Sequence, residues 1–376
     1  MTRLIIIILL FLLSLLAVLK APTYHLWLMA VVVTEFPIIF VISTMVMLAT
    51  GVWVTKYKVP GSVIGVIALL LFLSPIIRSY IISRTLEKEI AATFDPSEET
   101  MADTKPFSFD KLFKPFYSDT IRSRSFTYIT YKDISLNMDF FPAYQSGNRP
   151  CVIIVHGGSW SGGDNKQLPD LNSYLAKAGY AVAAINYRLA PKYLTPAPVE
   201  DIKNALGYLR KHAAELHIDT NKFVLLGRSA GAQIALLAAY TLHDKGLKGV
   251  IDFYGPADMV WGYSVPSNPL VMDSRKVMGD YIGGTYAQVP AKYVACSPIE
   301  FVDSTSVPTL IIHGTNDVLV SVEHSRRLNA KLNENNIKHF WLKLPWATHG
   351  FDYNLNGPGG QLSTYAVEQF LSTVTH

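Results

Sequence analysis

Two hydrophobic patterns divide the chain. Over residues 4–77 apolar side chains run almost unbroken, and only Lys20, Glu35, Lys56 and Lys58 carry formal charge. Runs at 4–19, 26–49 and 61–77 approach the roughly 20 residues that a bilayer-crossing helix needs. No small-residue cleavage site follows the first run, which ends in Lys20-Ala21-Pro22, and a cleaved signal would leave the later runs unexplained. The pattern predicts an N-terminal transmembrane helical segment of about three helices over residues 1–84. Glu35 has two readings: a costly charge inside the second span that marks function, or an interfacial residue ahead of a span covering 36–54.

Beyond residue 125 the signal changes to alternating strands and helices. SFTYITYK and ISLNMDFF read as an antiparallel pair. CVIIVH, AVAAINY, KFVLLG, GVIDFYG and TLIIHG are short continuous apolar runs, as strands buried on both faces require. Helical patterns fall between them at 170–179, 199–216, 230–242 and 322–335. Strands and helices in this alternation predict an α/β fold: a mostly parallel central sheet with helices on both faces, over residues 125–376. Residues 85–124 read as a connector, acidic and loop-like at 95–104. Its aromatics Phe107, Phe109, Phe113, Phe116 and Tyr117 either rest on the bilayer surface or pack on the body as an N-terminal arm.

Composition sharpens this division. Charged residues make up 16% of the chain, against about 25% in soluble domains, and the deficit lies in the first 84 residues. Those residues hold six cations against Glu35, a net +5 within a total of +4, so the body is close to neutral. No basic stripe argues for nucleic acid. Counting the amino terminus, Arg3, Lys56 and Lys58 outweigh Lys20, Arg78 and Arg84, which puts the N-terminus inside and, with three spans, the body on the extracytoplasmic side. Cys151 reads as a small buried hydrophobe, and with neither CxxC nor HExxH the sequence calls for no metal or cofactor. Oligomeric state is not specified.

The candidate chemistry begins at Gly227-Arg228-Ser229-Ala230-Gly231, directly after KFVLLG and directly before a helical pattern. In that strand–turn–helix setting the two glycines allow a tight turn that lifts Ser229 above the sheet edge as a nucleophile. A second cluster, His156-Gly157-Gly158-Ser159-Trp160, follows CVIIVH. The backbone N–H groups of Gly157, Gly158 and Ala230 are the expected oxyanion hole, and His156 is expected to be structural. Ser229 needs a base and an orienting acid. Asp317 follows TLIIHG and His349 follows HFWLKL, so both fall on the edge that presents Ser229. Asp303 and Asp352 are rival acids, and His313 is expected to be structural. The insertion at 259–295, with Trp261, Tyr263, Met272, Met278, Tyr281 and Tyr286, reads either as a lid walling the acyl pocket or as a surface excursion.

HGGSW, NYRLAP, GRSAG, FYGPAD, HGTND and THGF, in this order over about residues 125–376, resemble the hormone-sensitive-lipase-like and carbohydrate-esterase-like carboxylesterases of the α/β-hydrolase superfamily. The resemblance implies the α/β-hydrolase fold, a Ser229–His349–Asp317 triad and a small-molecule carboxylic ester as substrate. Residues 1–84 lie outside it, and their apolar runs make the lipid bilayer their expected partner. Two positions depart from the lipase-like pattern: Ser159 stands where a third glycine is usual, and Arg228 where an acidic residue is usual. The same triad would also serve an amidase or peptidase, or a membrane acyltransferase, and the fold would serve a non-catalytic binding protein. Residues 1–84 are expected to be removable, leaving a soluble fragment active on short esters.

Overall fold

The computed structural model describes residues 1–94, 104–114 and 120–375. Most of the expected loop at 95–104, and Phe116 and Tyr117, lie outside them. Four apolar helices come first: α1 (Thr2–Ser14), α2 (Tyr24–Glu35), α3 (Pro37–Ala49) and α4 (Lys58–Phe94). Phe36 precedes a proline and is held out of the helical region at φ −124°, ψ 42°, so α2 and α3 meet at an angle of 83°. Among the described residues α4 is the one helix long and apolar enough to cross a membrane, with the bent α2–α3 pair as a possible second. The first predicted span is a shorter helix. Arg3 joins the far end of this bundle, donating to Met47 O at 3.0 Å and Ser62 Oγ at 3.1 Å.

The body is an eight-stranded sheet: β1 (Arg124–Thr130), β2 (Ser135–Phe141), β3 (Arg149–Val155), β4 (Ala181–Ile185), β5 (Ile218–Arg228), β6 (Leu247–Phe253), β7 (Thr309–Gly314) and β8 (His339–Leu344). Its spatial order is β1-β2-β4-β3-β5-β6-β7-β8. β2 runs antiparallel to β1 and β4, and every other neighbour pair is parallel. The helices are α5 (Pro169–Lys177), α6 (Ala197–Lys211), α7 (Ala213–Leu216), α8 (Ala230–Thr241), α9 (Met259–Ser264), α10 (Ser274–Ile282), α11 (Pro290–Ala295), α12 (Glu323–Glu334) and α13 (Pro358–Val374). The continuous apolar strands have the cause expected of them. Cys151, Ile153 and Val155 of β3 face a core shared with α6, α8 and α12, while Val152 and Ile154 face a second core shared with α13. This is the α/β-hydrolase arrangement.

The second core also takes in Ile76, Leu86, Ile90 and Phe94 of α4, with Phe94 stacked edge-on against Phe370 of α13, 5.3 Å between ring centres. The boundary expected at residue 84 therefore falls inside a helix that packs along the body. Removing residues 1–84 takes Ile76 from this core and leaves Leu86, Ile90 and Phe94 on the body. Within 104–114, Phe107 and Leu112 are buried in the same core and Ser108 N donates to Gln361 Oε1 at 2.7 Å, so this part of the connector packs on the body.

Glu35 fits neither of its two readings. It is 1% exposed, and its Oε2 accepts from Gly359 N at 2.8 Å and Gly360 N at 3.4 Å, at the start of α13. A carboxylate there satisfies orphan N–H groups and suits the positive end of the helix dipole. A Cβ on Gly359 would lie 2.9 Å from the carboxylate, so the glycine makes the seat possible.

Candidate active site

Ser229 stands between β5 and α8 with φ 54°, ψ −121°, a strained conformation for a residue with a Cβ and a common mark of functional positions. The flanking glycines are forced by proximity. A Cβ on Gly227 would sit 2.3 Å from Gly231 O, and one on Gly231 would sit 2.2 Å from Val155 O. Close approach of α8 to β3 and β5 thus dictates both, and it brings the helix N-terminus under the serine.

Asp317 lies in the loop after β7 and His349 in the loop after β8. His349 Nδ1 is 2.7 Å from Asp317 Oδ2. Oδ1 of the same carboxylate accepts from Leu319 N and Val320 N, each at 2.9 Å. His313, expected as a structural residue, also reaches Asp317: its Nε2 is 3.2 Å from Oδ2 and 3.1 Å from Val320 O. A carbonyl can only accept, so Nε2 of His313 carries the proton. Burial pushes the Asp317 carboxyl up, but the neighbouring His349 and the hydrogen bonds from His313 and His349 outweigh it, and the group is held well below the usual carboxylate range. Among the described residues no hydrogen bond joins Ser229 Oγ to the imidazole. Both side chains line one cavity, and such bonds often tighten only when substrate binds.

The rival acids are engaged elsewhere. Asp303 is exposed and accepts from Thr305 N at 2.8 Å in its own turn. Asp352 is buried and accepts from Arg228 Nε and Tyr254 OH, both at 2.5 Å. His156 stacks on Tyr187 with ring centres 4.2 Å apart, and burial pushes its pKa down.

One expected oxyanion donor is taken. Gly157 N donates to Gln167 Oε1 at 2.7 Å, so that N–H is satisfied by a side chain and not held open for substrate. Neither Gly158 N nor Ala230 N has an acceptor among the described residues, and these two donors remain. Gln167 carried no signal in the sequence: a glutamine ten residues beyond a turn looks like any surface residue.

Two chambers meet at Ser229. One, of about 430 Å³, has a mainly apolar lining that includes Met272 and Met278 of the 259–295 insertion, with polar groups such as Lys20, Asn268 and His324 set in it. The other, of about 790 Å³, includes Gly157, Gly158, Arg228, Tyr254 and His349, and a wall from residues 24–36. The insertion folds as α9, α10 and α11. Of its six singled-out residues Met272 and Met278 reach the chambers, while Tyr281 stacks on Trp160 at 4.7 Å and Trp261 packs on His324.

A protein-family model described as BD-FAE matches residues 138–332. Esterase LipQ of Mycobacterium tuberculosis is 29% identical over 225 residues, covering 56% of this chain and 52% of that protein. Esterase LipC of the same organism is 29% identical over 240 residues, covering 60% and 58%. The chain thus spans about half the length of the curated relatives it matches. Among solved structures, a truncated carbohydrate esterase from gut microbiota superposes with a TM-score of 0.56 at 22% identity, over 69% of this chain and 99% of that one. At such identity the likeness speaks for the fold alone.

Proposed function

The chain belongs to the BD-FAE family, and from that premise we propose that it is a membrane-anchored serine hydrolase of carboxylic esters. In this reading residues 1–84 are the anchor, 85–124 an arm and 125–376 the catalytic domain. The observation that carries it is a half-buried serine on a strained elbow sharing a cavity with an imidazole held by a buried, ionised carboxylate.

Ser229 Oγ attacks the ester carbonyl carbon as His349 Nε2 takes the hydroxyl proton. Asp317 keeps the other ring proton on Nδ1 and stabilises the imidazolium. The oxyanion forms against Gly158 N–H and Ala230 N–H, and losing one such donor typically slows acyl transfer by about 10²–10³. The intermediate collapses to an acyl-enzyme, the alcohol leaves with the proton from His349, and water repeats the sequence to release the acid. The relatives' names, esterases, support an ester as the bond cleaved.

Membrane anchorage rests on α4 and the bent α2–α3 pair. Arg3, Lys56 and Lys58 gather near the start of α4, while its second half packs on the body. By the positive-inside rule the cationic end is cytoplasmic and the catalytic domain extracytoplasmic.

The test uses the full chain in detergent with a fluorophosphonate probe and p-nitrophenyl esters. The wild type should be labelled and should cleave esters faster than the matching anilides, while Ser229→Ala should do neither. Equal labelling of both proteins would remove the reading. Release of the chain from membranes by an alkaline carbonate wash would remove the anchorage.

A further inference from the structure

The larger chamber has an unusual wall. Tyr24, Trp27, Leu28, Val31, Val32 and Phe36 line it opposite Ser229 and His349. All six belong to α2 or the break after it, outside the residues that match the family model. The helix is tied to the body along its length. Asn268 Nδ2 donates to Pro22 O at 3.0 Å, Tyr24 N to Leu270 O at 3.1 Å, and Trp27 Nε1 to His349 O at 3.0 Å. Glu35 closes the far end on α13.

From Leu26 to Val33 every residue of α2 is apolar, with no polar face of the kind that a helix lying in water carries. Leu26 and Met29, outside the chamber lining, stay 37% exposed, and Leu28 and Val32 line the chamber while remaining 42% and 39% exposed. This helix leads at 83° into α3, its partner in the bent apolar pair. It therefore stands between the chamber and any bilayer that holds α3 and α4. A volume of about 790 Å³ lies well up the range of about 300–1,000 Å³ of drug-sized ligand sites, more room than a short acyl group fills.

Building on the serine-hydrolase reading above, we infer that α2 is one wall of an acyl-chain site, and that a bilayer-resident ester enters it sideways, between the membrane and Ser229. The hydrocarbon chain lies along Leu28, Val31 and Val32, and the ester carbonyl reaches Ser229 where the two chambers meet. The smaller chamber, whose mainly apolar lining also carries Lys20, Asn268 and His324, takes the other end of the ester. A substrate chain in the bilayer is then already at the mouth, and it exchanges one apolar surrounding for another. The N-terminal segment is in this sense part of the binding site as well as an anchor.

The test reconstitutes the full chain in phosphatidylcholine vesicles and compares water-soluble p-nitrophenyl acetate with p-nitrophenyl palmitate carried in the bilayer. Leu28→Trp and Val32→Trp fill the chamber from its outer wall. Each should lower kcat/KM for palmitate by about 10–200-fold, the range for a misfit in an apolar pocket, with acetate turnover and fluorophosphonate labelling near wild type. Leu28→Ala, which adds no bulk that could disturb folding, should also lower palmitate turnover and spare acetate. Met29→Trp, on the outer side of the helix, should change neither. Parallel losses on both esters with labelling intact would overturn the inference, as would wild-type protein that cleaves acetate and never palmitate; either result leaves the hydrolase standing. Wild type that cleaves no ester and takes no label would instead overturn the hydrolase reading itself.

Discussion

Arg228, immediately before Ser229, and Asp352, three residues beyond His349, form a buried ion pair with Nε and Oδ2 2.5 Å apart and side-chain exposures of 2% and 1%. The pair accounts for an arginine where the lipase-like pattern has an acid, and it occupies the carboxylate that competes with Asp317 in the sequence. Removing one member leaves the other charge buried alone. Asp352→Asn should therefore destabilise the protein by about 3–5 kcal/mol, and replacing both members with apolar residues, Arg228→Met with Asp352→Leu, should recover most of that loss. Thermal unfolding of the full chain in detergent measures both. Asp303→Asn, at an exposed turn, should shift neither melting nor turnover.

Asp317→Asn tests the acid through a geometric constraint. Oδ1 accepts two backbone N–H groups, so an asparagine keeps its oxygen there and turns its NH₂ toward His349. His349 Nδ1 must then accept, its proton moves to Nε2, and the ring can no longer take the Ser229 proton. By the general behaviour of such triads kcat should fall by about 10³–10⁴, with little change in substrate affinity. Asp352→Asn should lower turnover far less. A folded Asp317→Asn enzyme that keeps most of its kcat would misplace the acid, and Ser229 and His349 would survive that outcome.

Glu35 gives a third test, because it links the N-terminal helices to α13. Glu35→Ala leaves the N–H groups of Gly359 and Gly360 buried without an acceptor, at about 1–3 kcal/mol. Glu35→Gln keeps an acceptor oxygen and should recover much of the difference. A fragment starting at residue 85 loses this cap together with Ile76, although Leu86, Ile90 and Phe94 stay in the core, so it should melt lower than the full chain. Glu35→Ala melting like wild type would show that the contact contributes nothing.

What the sequence disclosed depended on which forces leave a local trace. Strands such as CVIIVH were legible because burial on both faces makes every position apolar, and the loops after β5, β7 and β8 were legible because GRSAG, HGTND and THGF each sit at a strand's C-terminal end. α13 was not legible. Nearly all its residues are buried, so no polar face marks a helical period. α2 was misleading for a related reason: an apolar run reads the same whether it faces lipid or a cavity. The seat of Glu35 on Gly359, and that of Gln167 on Gly157, are pairings across the fold with no periodic signature. Arg228 was visible as a departure from the lipase-like pattern, but its partner Asp352 could only be found in three dimensions.

The last prediction concerns pH. Asp252 lies on β6 beneath the site, fully buried, and its Oδ1 accepts from Gly255 N at 2.7 Å. Burial pushes its pKa from the ordinary 3.8 to about 7, against the opposing pull of the neighbouring His313 and the Gly255 hydrogen bond. The folded state therefore holds a proton on this residue between those two values while the unfolded state releases it. With fewer protons bound in the unfolded state, stability falls as pH rises from about 4 to about 7 and then levels off. The interval amounts to about 4 kcal/mol, lost at neutral pH and present below about pH 4. Asp252→Asn keeps the acceptor for Gly255 N–H and removes the titration. Compared with wild type, the variant should gain stability at pH 8 and show little difference at pH 4.5. The measurement is the difference in melting temperature between the two proteins at each pH, in the same detergent. A difference that does not change between pH 4.5 and 8 would mean that Asp252 is already ionised in the folded protein.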